Sequence, residues 1–185
     1  MIKQIAALDT RILEALYAVR DLNLSYVFIG ISELGGTFVV GGIVLALGVY
    51  FLLHKQFSTL TGLIVSIIGT ATVAFSLKEI LVRARPDVFY QAYAEDGFSF
   101  PSGHAAMSLA LYGFLAYLAW KYLPKRSRGV VVFTTMLLVA LIGLSRLYLG
   151  LHFLSDVVGG YAIAALFLAL GIWVSERLNR NPLWS

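Results

Sequence analysis

Five stretches of the chain carry no charge at all: residues 37–53, 57–77, 105–120, 129–145 and 157–175. Each reaches or approaches the ~17 to 25 residues that a helix needs to cross a hydrocarbon core of about 30 Å, and the shorter ones lengthen by borrowing flanking residues. Ahead of them, Ile5, Leu8, Ile12, Leu16 and Val19 recur at steps of three and four, while Arg11, Glu14 and Asp21 fall elsewhere. That is the pattern of an amphipathic helix, too charged to span and suited to the membrane interface. Gly35-Gly36 breaks it from the first apolar stretch. The predicted fold is all-α, a polytopic membrane helical bundle with five transmembrane helices and an N-terminal amphipathic interfacial helix. A sixth span, from residues 22–32, is the alternative, but that stretch falls short of the required length. Residues 1–36 form the amphipathic segment, 37–178 the membrane-embedded domain and 179–185 a cytoplasmic tail. No internal repeat or low-complexity tract divides the chain further.

Composition agrees. The chain is 59% hydrophobic and only 13% charged, against roughly 25% charged residues in an ordinary soluble domain. Its net charge of +4 does not indicate nucleic acid, because the basic residues lie scattered between apolar stretches and form no basic face. Lys55, Lys121, Lys125, Arg126, Arg128, Arg177 and Arg180 flank alternate ends of the spans, with Glu176 the one acid among them. The positive-inside rule makes those ends cytoplasmic and the loops after the second and fourth spans external. The basic start is not followed by an unbroken apolar run with a small-residue cleavage site, so it does not read as a signal peptide. With no cysteine, disulfide and thiolate chemistry are excluded.

The longest interruption is RARPDVFYQAYAEDGFSFP, residues 83–101, with two of the chain's four prolines. Loops of this length in compact proteins usually serve function. Around it, at the predicted outer ends of the spans, stand Lys78, Arg83, Arg85, His104, Arg146, His152 and Asp156. Ionisable groups at membrane depth cost at least about 2.5 to 3.5 kcal/mol each and mark functional sites. Arg83 alone reads as a snorkelling anchor. His152 and Asp156, four residues apart, are expected on one helical face, where the carboxylate can hold the imidazole in one tautomer and make it a nucleophile. Pro101-Ser102 signals a helix start and Gly103 admits close approach, so free N–H groups there form an anion site beside His104. With Lys78, Arg85 and Arg146 nearby, that anion site suits a phosphoryl group. Asp87, Glu95 and Asp96 are expected to be solvated loop acids, with no metal site among them.

These residues form a recognisable set. KEILVRARP (78–86), PSGH (101–104) and SRLYLGLHFLSD (145–156) resemble the three-part signature of the type 2 phosphatidic acid phosphatase superfamily, in order and with every spacing matched. The resemblance covers roughly residues 37–175. It implies that Lys78, Arg85 and Arg146 grip phosphate oxygens, with hydrogen bonds from Ser102 and the Gly103 backbone. It further implies that His152 attacks phosphorus to give a phosphohistidine, that Asp156 orients it, and that His104 protonates the leaving oxygen and later activates water, with no cofactor or metal. The implied substrate is a lipid phosphate or diphosphate, foremost undecaprenyl diphosphate, with phosphatidylglycerol phosphate, phosphatidic acid and lipid A as alternatives. The implied location is the cell membrane, with the site on its outer side.

Two other classes compete. A vanadium haloperoxidase has a similar site, but those proteins are soluble and much larger. A transporter or scaffold that merely binds the anion would be expected to have lost a histidine or the aspartate, and His104, His152 and Asp156 are all present.

Overall fold

The computed structural model describes residues 2–180, which contain helices and loops and no strand. Two helices, α1 (Ile2–Ala18) and α2 (Leu22–Glu33), precede α3 (Thr37–Leu53), α4 (Phe57–Leu81), α5 (Gly103–Tyr122), α6 (Lys125–Tyr148) and α7 (Leu154–Asn179). A 3-10 turn, Val88–Tyr90, lies in the loop between α4 and α5. Of the tail expected over 179–185, residues 181–185 lie outside the described residues.

The segment before residue 37 is two helices where the periodicity predicts one. Asp21 is the cause: in extended backbone, its carboxylate accepts from the Leu24 N–H at 2.9 Å and caps α2. α1 turns Asp9 and Leu13 inward, whereas Ile5, Leu8 and Val19 of the predicted stripe are exposed. The stripe is therefore split, with these three turned away from the bundle while Leu16 packs against the cluster of Ala105, Leu147 and Val157.

Four stretches, 22–53, 57–81, 125–148 and 154–179, are long and apolar enough to cross a membrane. α5 differs because of its place. Its 20 residues reach about 30 Å at 1.5 Å per residue, but it is the central helix, packed by α3, α4, α6 and α7. Its buried face is Ala105, Ala106, Ser108, Ala110, Leu111 and Phe114, so much of what it shows to its neighbours is small or polar.

Elsewhere the polarity of a soluble protein is inverted. Phe38, Ile68, Phe75, Phe133, Met136 and Leu166 are exposed, while Ser58, Thr59, Ser66, Thr70 and Ser175 are buried. Lipid gives no hydrophobic drive for helices to associate, so close van der Waals packing between small residues must supply it. α4 and α7 show this best: a Cβ on Gly62 would lie 2.6 Å from the Gly171 carbonyl oxygen, and one on Gly171 2.5 Å from that of Gly62. Ser66 Oγ donates to the Ala110 carbonyl at 3.1 Å and ties α4 to α5.

Alternation of the helices gathers the α2–α3 corner, the loop 82–102 and the loop 149–153 at one end of the bundle. The corner sits directly on the start of α5, where a Cβ on Gly35 would stand 3.0 Å from the His104 carbonyl oxygen. The turns at 54–56 and 123–124 and the end of α7 occupy the other end.

Candidate active site

The start of α5 meets the start of α7. The Ser102 N–H donates to the Asp156 carbonyl at 3.0 Å, and only glycine fits at position 160, since a Cβ there would lie 2.7 Å from the Ser102 carbonyl oxygen. Ser102 caps α5 by position but its hydroxyl caps nothing: it is buried and without a partner. In front of Gly103 the space is open, with no atom within 4 Å of where a Cβ would stand. The first N–H groups of a helix have no intrahelical acceptor, so this opening is a place where an anion can be held.

His152 is not on a helix. It lies in the loop before α7, whose N-cap is Phe153, so the expected shared helical face is replaced by a turn that folds His152 back over the first turn of α7. The pairing survives: His152 Nδ1 is 3.5 Å from Asp156 Oδ2. That oxygen also accepts from Ser99 Oγ at 2.5 Å and from the Phe153 N–H at 2.8 Å. On the other side of the ring, Nε2 is 3.2 Å from Arg85 Nη1. A guanidinium can only donate, so Nε2 presents its lone pair and the proton resides on Nδ1, facing the carboxylate. Burial pushes the His152 imidazole down to about 4, with Asp156 opposing the shift. The ring is therefore neutral at pH 7, with a free nitrogen aimed at the cations.

Those cations come from three elements. Lys78, in the last turn of α4, donates to the Phe98 carbonyl at 2.5 Å. Arg85 is held in the loop by the carbonyls of Leu151, Asp96 and Gly97, each at 3.0 Å. Arg146, in the last turn of α6, is fully buried. It donates to Ser32 Oγ of α2 at 2.8 Å and to the Tyr93 hydroxyl at 3.1 Å, while its Nε has no partner. The unpartnered Nε and the unpartnered Ser102 hydroxyl are the kind of buried polar atoms that a ligand satisfies. Lys78 and His104 both lie within electrostatic range of Arg85, Arg146 and Glu95.

Two expectations need correction. Glu95 is not a solvated loop acid: it pairs with Arg85 at 3.0 Å and with Arg146. Burial pushes its carboxyl up, yet Arg146 and Arg85 outweigh that and hold it below the usual range. Nor does Arg83 snorkel. It bridges Asp9 of α1 at 2.8 Å and Asp156 at 2.6 Å, and stacks over the Phe153 ring at 4.6 Å. Asp9, Glu95 and Ser99 had no signal in the sequence, because each is defined by a partner far along the chain.

His104 borders a cavity of about 300 Å³ between α3, α4 and α5, lined otherwise by Gly35, Val40, Val44, Ile67 and Met107 among others. An aliphatic chain fits such walls, and the cation cluster lies at the histidine end. Among the described residues no group of three or more His, Cys, Asp or Glu side chains is placed to hold a metal.

The chain carrying this site is similar to known proteins over nearly its whole length. Phosphatidylglycerophosphatase B of Bacillus subtilis (strain 168) is 32% identical over 176 residues, 93% of this chain and 85% of its own. The crystal structure of the transmembrane PAP2-type phosphatidylglycerolphosphate phosphatase from Bacillus subtilis superposes with a TM-score of 0.86 at 31% identity, covering 96% of this chain and 89% of that one. Aquifex aeolicus LpxE shares the fold at a TM-score of 0.71 and 22% identity, over 90% of this chain and 95% of its own. The PAP2 superfamily model matches residues 59–180, the stretch that holds all three motifs and the cations, histidines and carboxylate they bring together, so the chain belongs to the PAP2 superfamily, as a membrane lipid phosphatase of the PAP2 type.

Proposed function

We propose that the chain hydrolyses the phosphate monoester of a glycerophospholipid at the outer face of a membrane, with phosphatidylglycerol phosphate as the first substrate to test. The observation that carries the chemistry is the two-sided setting of His152, with Nδ1 toward Asp156 and Nε2 toward Arg85. Nε2 attacks phosphorus and the bond to the lipid oxygen breaks. His104 gives that oxygen its proton, leaving a phosphohistidine. Water then attacks phosphorus, His104 takes the water's proton, the P–N bond breaks and inorganic phosphate leaves. Lys78, Arg85 and Arg146 hold the three equatorial oxygens, the electrostatic service that phosphoryl transfer most needs. The apolar cavity beside His104 accommodates the first part of an acyl chain.

The sequence alone puts undecaprenyl diphosphate first. The resemblance over nearly the whole chain to phosphatidylglycerophosphatase B supports placing phosphatidylglycerol phosphate ahead of it. We read α3 to α7 as five spans and α1 as lying in the interface with Ile5 and Leu8 toward lipid. Lys55, Lys121, Lys125, Arg126 and Arg128 mark the end opposite the site, which supports an outward-facing site by the positive-inside rule. The test is phosphate release by purified protein in detergent from phosphatidylglycerol phosphate, phosphatidic acid, undecaprenyl diphosphate and lipid A, beside His152→Ala. A preference for the first that vanishes in the variant is expected. Preference for undecaprenyl diphosphate would restore the sequence-based order, and turnover by His152→Ala would overturn the nucleophile.

A further inference from the structure

α1 buries Asp9 and Leu13, and Asp9 is 2% exposed. A carboxylate is among the costliest groups to take out of water unless it is paired, so its presence on the buried face of a surface helix calls for an account. Its partners supply one. Oδ1 accepts from the Ser155 N–H at 2.9 Å, and Oδ2 accepts from Ser155 Oγ at 2.6 Å and from Arg83 Nη2 at 2.8 Å. Arg83 Nη1 in turn donates to Ser155 Oγ and to Asp156 Oδ1, both at 2.6 Å. An unbroken polar chain thus runs from α1 through Arg83 to the carboxylate behind His152.

We propose that Asp9 is a positioning residue for the hydrolytic reaction: through Arg83 and Ser155 it fixes the placement and the charge of Asp156, and so the aim of His152. This rests on the reading of His152 as the nucleophile. Asp156 serves two partners, with Oδ1 on Arg83 and Oδ2 facing His152. With Asp9 present, the guanidinium divides its charge between two carboxylates. Without it, the whole charge falls on Asp156 and draws negative charge away from the imidazole that must become cationic on attack. Asp9 also holds the Ser155 N–H, next to Asp156 in the first turn of α7. A cavity of about 620 Å³, lined by Ile5, Ala6, Leu81, Arg83 and Phe100 among others, opens beside this link. The phosphate-gripping groups Lys78, Arg85 and Arg146 make no hydrogen bond or ion pair to Asp9, so the role is in turnover and not in affinity.

The experiment measures kcat, KM and inhibition by inorganic phosphate for Asp9→Asn, Arg83→Met and the double variant, using the full chain in detergent, with thermal unfolding to verify folding. Misplacement of a reacting group by about 1 Å can cost on the order of 10²-fold, so Asp9→Asn is expected to lower kcat by about 10- to 100-fold. KM and the phosphate inhibition constant should stay within about twofold, and adding Asp9→Asn to Arg83→Met should slow turnover by clearly less than Asp9→Asn does in the wild type. A wild-type kcat, a loss shared with phosphate affinity, or additive effects of the two substitutions would overturn the role. Should Asp9→Asn not fold, Ser155→Ala reads the same link with both charges kept, and a wild-type kcat there would also overturn it. His152→Ala in parallel separates the two readings: turnover in that variant defeats the nucleophile assignment and the positioning role with it, whereas an inactive His152→Ala beside a wild-type Asp9→Asn defeats the positioning role alone.

Discussion

Glu95 occupies the two guanidinium groups that the proposed chemistry assigns to phosphate, so a substrate must displace it. Replacing it with glutamine keeps the shape and removes the charge. Hydrogen bonds to charged groups contribute about 1.5 to 3 kcal/mol net and neutral ones about 0.5 to 1.5. Neutralising a partner shared by two arginines therefore removes roughly 2 to 3 kcal/mol of competition. The Glu95 side chain is 23% exposed, and screening by water reduces this to about 1.4 kcal/mol, a factor of ten in affinity. Glu95→Gln is expected to lower KM and the inhibition constant of inorganic phosphate by about tenfold each, with kcat within about twofold. The assay is phosphate release in detergent across substrate concentration at fixed ionic strength, with inorganic phosphate titrated as inhibitor. A KM that rises would refute the reasoning, since it would mean that Glu95 organises Arg85 and Arg146 for substrate and does not compete with it.

Other outcomes can be checked alongside. Because the folded His152 titrates at about 4 against an ordinary 6.5, the unfolded chain takes up the proton first. This contribution to stability is present above pH 6.5 and falls as pH drops toward 4, by about 2 kcal/mol between pH 7 and pH 5; thermal unfolding at the two pH values should show a loss that is smaller in His152→Ala. Gly160→Ala drives a methyl into the Ser102 carbonyl and should cost about 1 to 3 kcal/mol of stability together with kcat, read by unfolding and turnover on one preparation. Vanadate, which adopts the geometry of phosphoryl transfer, should compete with substrate. Activity should persist in EDTA, because Lys78, Arg85 and Arg146 supply the positive charge; loss in EDTA restored by magnesium would contradict that.

Much of the bundle was legible because lipid imposes a length on apolar stretches, and the helices α3 to α7 coincide with the five stretches to within a turn or so. The motif residues were legible because their types and spacings are constrained by the chemistry. What stayed hidden was pairing across distance. Asp9 reads in the sequence as one more polar residue of an amphipathic helix, and only the fold brings it to Arg83, 74 positions on. Glu95 lies in an acidic loop whose path no periodicity describes. The placement of His152 ahead of α7 escaped for a related reason: the left-handed Gly150, with φ of 69°, turns the chain there, and the motif spacing reads equally well as a helix.

Beside its side-chain ties, main-chain atoms fix the loop between α4 and α5: Ser99 N–H donates to the Arg83 carbonyl within it at 2.8 Å, Ala92 N–H to the Leu149 carbonyl at 2.9 Å, and Ser102 N–H to the Asp156 carbonyl at 3.0 Å. Such ties are indifferent to side-chain identity. The loop's exposed face, where Val88 stands clear of the bundle, can therefore be changed residue by residue while the path that delivers Arg85 and Glu95 to the site is kept.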